Sequence, residues 1–113
     1  MASANGVLPT IEQNYAVQTT SPSASTALLA TVSTQVIGAN IARRGIRFFN
    51  PGTVIIYVCP ANIAAVIGQG IPILPGGGYF DFIGDGKLIN YNCAWNAIAA
   101  SGSNNPLTIL ELL

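Results

Sequence analysis

The sequence predicts an all-β domain, an antiparallel β-sandwich of the jelly-roll kind carrying an extended N-terminal arm. Three observations lead there. The apolar and aromatic runs are short, rich in β-branched residues and too brief for a core helix. They recur at even spacing along the chain. Clusters of Gly, Pro and Asn separate them, and short strands punctuated in this way build sandwiches or barrels.

Residues 1–42 read as the arm, with one or two edge strands, and residues 43–113 as the sandwich core. Residues 19–34 are dominated by Ser, Thr and Ala around Pro22, a composition that favours extended chain over a packed helix. A short strand at 7–11 is interrupted by Pro9. Residues 27–32 and 35–37 fit a strand or a weak helix, because Leu28, Leu29, Val32, Val36 and Ile37 lie loosely on one helical face; the Thr and β-branched content tilts the choice to strand. The segment is then either a tail with one edge strand or an arm that orders on a neighbouring subunit.

From residue 44 the signals are β throughout. Residues 45–50 form a strand closed by Asn50-Pro51-Gly52, where Pro presets φ and Gly accepts the left-handed position. Residues 53–59 are apolar on both faces, as in a central strand covered on two sides. An apolar stretch at 63–67 follows, then an extended piece at 71–74 in which Pro72 excludes a central ladder position. Residues 79–83 and 87–91 flank Gly84-Asp85-Gly86, a connection of hairpin length. Strands at 92–99 and 107–112 complete the set; in the last, Leu107, Ile109 and Glu111 share one face and Thr108, Leu110 and Leu112 the other.

Charge is the compositional anomaly. The 113 residues hold four basic and four acidic side chains and no histidine, while half are hydrophobic. Residues 13–42 and 48–80 contain no charge at all. Soluble domains average about a quarter charged, and monomers rarely expose large apolar patches. The composition therefore points to a chain packed against others, an assembly subunit and homo-oligomer. Zero net charge argues against nucleic acid and anionic membrane as partners. The best apolar window, 54–67, is broken by Pro60 and Asn62 and is shorter than the ~20 residues of a membrane span. No basic and apolar leader opens the chain, so a signal peptide is not expected.

Without histidine, Ser-His-Asp and Cys-His nucleophile systems and nearly all zinc sites are excluded. No phosphate loop or dinucleotide fingerprint is present, and no catalytic residue, cofactor or metal is expected. Asp81 and Asp85, with Asn90 or Asn92, supply oxygen ligands, but their spacing matches no calcium loop and suits a strand position and a turn tip better. Cys59 and Cys93 are expected as reduced, hydrophobe-like thiols, with their pairing left open. Arg43, Arg44 and Arg47 are the candidate partner interface. One of them is expected to pair inside the domain with Asp81, Asp85 or Glu111, and at least one other to meet acidic groups on a partner. Tyr79, Phe80, Phe82, Tyr91 and Trp95 form an aromatic set that fills a core or an interface, or stacks on sugar rings.

The order of these elements resembles the small β-sandwich virion proteins of tailed bacteriophages, including capsid decoration or cement proteins. The residues that carry the likeness are the Arg-rich strand start Arg43-Arg44-Gly-Ile-Arg-Phe-Phe-Asn50-Pro-Gly52, the strand with Tyr57, the segment from Gly70 to Gly77, Tyr79-Phe-Asp-Phe82, Gly-Lys-Leu-Ile-Asn-Tyr91, and the C-terminal Leu-Thr-Ile-Leu-Glu-Leu. The likeness covers residues 43–112 and leaves the Ser/Thr-rich first forty outside. It implies a non-enzymatic virion protein made in the host cytoplasm, with the major capsid protein or another virion protein as partner. It implies no catalytic residues. A phage fibre or spike domain, or a carbohydrate-binding host-recognition module, is the alternative. A small enzyme has least support, because no nucleophile or acid–base pair is credible.

Overall fold

The computed structural model describes residues 22–83 and 92–113. Eight strands lie within them: β1 Pro22–Leu29, β2 Thr34–Ile37, β3 Gly45–Asn50, β4 Ile56–Cys59, β5 Ile71–Ile73, β6 Gly78–Ile83, β7 Trp95–Ala99 and β8 Asn105–Leu112. The described residues contain no helix. The expected strands at 7–11 and 87–91, and the Gly84-Asp85-Gly86 connection, lie outside them.

The strands form two four-stranded antiparallel sheets, ordered β1-β8-β3-β6 and β2-β7-β4-β5. The pairs β1·β8, β2·β7, β3·β6 and β4·β5 are those of one long ribbon doubled on itself. Rolling that ribbon brings β3 onto β8 and β4 onto β7, which is the jelly-roll winding. The expected all-β sandwich is therefore the fold. The two described strands before residue 43, β1 and β2, lie at the edges of these sheets, one in each.

Side-chain alternation builds the core. β3 turns Ile46, Phe48 and Asn50 inward and Arg47 and Phe49 outward. Leu29, Ile56, Val58, Ile73, Leu107 and Ile109 meet them between the sheets. Trp95 stacks at a tilt on Phe48, with centroids 5.0 Å apart, and edge-on to Phe82 at 5.9 Å. Its indole N–H is buried there with no acceptor among the described residues.

Three stretches are shaped by contacts between segments of the chain. β4 begins at Ile56 and not at 53, because the chain at 51–54 curls around the Asn50 side chain, whose Nδ2 donates to Val54 O at 2.8 Å. The 63–67 stretch is no strand. It lies over the outward side of β7, where Asn96 Nδ2 donates to Ile63 O at 2.8 Å and Ala65 N donates to Ser33 Oγ at 2.8 Å. The core buries Trp95, Ala97 and Ala99, and this cover helps to bury Asn96 on the opposite side of the strand. Between β1 and β2 the chain crosses from one sheet to the other, and Ala30 O accepts from Ala99 N at 2.9 Å.

Pro72 sits in β5, an edge strand, as its missing N–H requires. Gly70 is required by its neighbour and its backbone: φ is 88°, and a Cβ there would lie 2.8 Å from Val58 O. Gly78 opens β6 hard against the preceding turn, where a Cβ would collide with Leu74 O.

Candidate functional site

The three candidate arginines have three different fates. Arg43 is 2% exposed. Its Nε donates to Glu111 Oε2 at 2.8 Å, Nη1 to Cys93 O at 2.7 Å and Nη2 to Gly38 O at 2.5 Å. Asn40 Nδ2 adds a second donor to the same Glu111 oxygen at 3.2 Å. One guanidinium thus ties β8, the turn before β7 and the loop after β2 together across both sheets. Its donors satisfy carbonyls that the sandwich end would otherwise leave bare. Burial removes Arg43 from any partner surface, which corrects its place in the candidate interface.

Arg47 is exposed on the outer face of the first sheet, directly opposite Asp81 in the β3·β6 register. The pair is bidentate, Nε to Oδ1 at 2.5 Å and Nη2 to Oδ2 at 2.7 Å. The hydrogen bonds from Arg47 hold the Asp81 carboxyl below its ordinary range, and the carboxylate in turn raises the guanidinium. Arg44 is exposed and is the one charged side chain among the described residues outside an ion pair.

Intramolecular pairing therefore neutralises Arg43, Glu111, Arg47 and Asp81, and the outer face of the first sheet carries little net charge. One row across it runs Thr26, Thr108, Phe49, Tyr79. The next runs Ala24, Leu110, Arg47, Asp81. Leu28 stands exposed beyond the first row. Tyr79 is 63% exposed, and the Arg47 guanidinium carbon sits 4.9 Å from its ring centroid. At the Arg43 end the face opens into a cavity of about 260 Å³ lined by Ile46, Arg47, Asp81, Leu110 and Leu112.

The aromatic set divides. Trp95 is core, and Phe80 and Phe82 turn inward and touch at 6.0 Å. Only Tyr79 of the described members is displayed, while Tyr91 lies outside the described residues, as do Asp85 and Asn90. Cys59 and Cys93 are both free and half-buried, and Cys93 Sγ accepts from Ala61 N at 3.0 Å. Sequence reasoning missed Phe49 as a partner of Tyr79. The alternation in Gly45-Ile-Arg-Phe-Phe-Asn50 carries that signal once the inward face is known.

The chain matches no protein-family model, no curated protein and no solved structure.

Proposed function

We propose that this chain is a non-enzymatic structural subunit of a virus particle, a decoration or cement protein that binds the assembled shell of a tailed bacteriophage. The observation that carries the reading is the outer face of the first sheet. It combines exposed Leu28, Phe49 and Tyr79 with uncharged threonines and a single, internally satisfied ion pair. Such a face loses little desolvation energy on docking and gains by covering apolar area. A subunit that binds only the assembled shell stabilises that state by mass action. The jelly roll is compatible with this role and does not by itself assign it.

Sedimentation of a native lysate on a density gradient tests the reading. This chain is expected in megadalton particles at fixed, high copy number, and shells lacking it are expected to disrupt at lower temperature or force. Recovery only as a small free species, or shells equally stable without it, overturns the proposal.

A second reading rests on Tyr79. An exposed ring beside a fixed guanidinium and carboxylate also suits a sugar, and favours a glycan-binding fibre or spike module. Glycan-array binding that Tyr79→Ala abolishes would support it; no binding to any glycan rejects it.

A further inference from the structure

Ile41 is 93% exposed, more than any other large apolar side chain of the described residues. It does not sit on a loose loop. Arg43 N donates to Asn40 O at 3.0 Å and Ala42 N to Asn40 Oδ1 at 3.0 Å, closing a turn around it. Asn40 N donates to Asn92 O at 2.8 Å, and Asn40 Nδ2 reaches Glu111, so the turn is bolted to the buried Arg43–Glu111 pair. An apolar side chain held rigidly in water is poised to be covered, and its ordering cost is already met by the fold. Three residues on stands Arg44, exposed and outside any ion pair among the described residues.

The complementary shape lies alongside. Arg44 N donates to Leu112 O at 2.7 Å, and Leu112 lines the 260 Å³ cavity on the outer sheet face. Leu110 and Leu112 make the cavity largely apolar, and the Arg47–Asp81 pair stands at its edge. A cavity of about 150 Å³ already accepts a benzene ring, so an isoleucine side chain fits. Each Asp81 oxygen accepts one hydrogen bond from Arg47, which leaves lone pairs for a further cation.

One chain thus displays an apolar knob with a flanking cation, and an apolar hole edged by the Arg47–Asp81 pair, whose carboxylate keeps lone pairs for a second cation. We propose that this end of the domain is a self-association site, in which Ile41 of one copy enters the cavity of a second copy and Arg44 meets Asp81 there. Apolar character and charge match between the two features, and this selects a second copy as occupant. Knob and hole adjoin at the same end of the sandwich, so the contact is reciprocal about a two-fold axis and closes as a dimer. The inference concerns copies of this chain alone and does not need the capsid reading.

Sedimentation velocity of the full chain over rising concentration is the test. The unaltered protein is expected to dimerise. Ile41→Asp and Leu110→Asp are each expected to weaken dimerisation about tenfold or more, as loss of a central anchor does. Arg44→Glu should act in the same direction without touching the cavity walls. Thermal melts establish that each variant folds; Ile41 and Arg44 are exposed, so these two read out even if Leu110→Asp does not fold. With folded variants, an equimolar mixture of Ile41→Asp and Leu110→Asp should regain dimer, because the heterodimer alone retains one intact knob and hole. A wild-type protein that stays monomeric overturns the proposal. So does a dimer indifferent to both Ile41→Asp and Arg44→Glu, or a mixture of folded variants that regains nothing.

Discussion

Arg43 and Arg47 both pair with a carboxylate, yet their energetic weights differ because burial differs. Arg43 is enclosed and its donors reach three segments of chain. Arg43→Ala leaves Glu111 without its buried partner and is expected to cost about 3–5 kcal/mol in urea unfolding. Arg47→Ala removes an exposed, solvent-screened pair and is expected to leave the urea midpoint nearly unchanged. Asp81 supplies the pH signature. Its carboxyl titrates lower in the folded state than its ordinary value of 3.8, chiefly through the hydrogen bonds from Arg47. The folded state therefore holds this proton less tightly than the unfolded chain does. The stabilisation is present above the unfolded value and fades as pH falls through the folded one. Melting temperature should accordingly drop below about pH 4, and Asp81→Asn should flatten that part of the profile.

At the scale of elements, β3 is held at both ends by polar side chains that cross between the sheets. Arg43 precedes it, and Asn50 ends it. Asn50 is buried, donates to Val54 O and to Ile73 O at 2.8 Å each, and accepts from Gly52 N at 3.0 Å. Asn50→Ala leaves these groups unpaired, at about 1–3 kcal/mol for each buried group that water cannot reach. Hydrogen exchange should show faster opening of the 51–54 turn and of β5, with β1 and β8 unaffected. An unchanged exchange pattern would mean that the ladders alone position β5. Much of this element-level order was readable in advance. Residues 45–50 are rich in large apolar side chains and end at Asn-Pro-Gly, and β3 has these same bounds. The 63–67 stretch was less readable, because its apolar residues look strand-like while side chains from β7 and from the loop after β1 hold its backbone.

For the whole molecule, the scarce charge is largely consumed inside the domain. Of the described charged residues only Arg44 lies outside an ion pair. Binding through the Leu28, Phe49 and Tyr79 face should therefore depend little on salt. Raising salt from about 0.1 M to about 1 M shortens the screening length from about 10 Å to about 3 Å. Particle association measured by co-sedimentation is expected to persist across that range. Release at high salt would point to a charge-dominated contact and away from this face. Self-association through Ile41 and Arg44 should respond more, since one of its two parts is an ion pair.

The sequence by itself determined the local rules: which stretches extend, where Pro and Gly turn the chain, and how few charges the surface has. These follow from the conformational preferences of each residue and its near neighbours, and they were enough for an all-β sandwich. Only the tertiary structure decided that Arg43 is buried against Glu111 while Arg47 is displayed with Asp81, although the two arginines are four positions apart. It also decided that Trp95 is core while Tyr79 is surface, and that Ile41 and the cavity beside Leu112 share one end. The reason is physical. Each of these outcomes depends on the pairing of strands distant in sequence, above all β8 with β1 and β3. Pairing register sets which face of a strand meets the core and which carboxylate stands opposite which arginine.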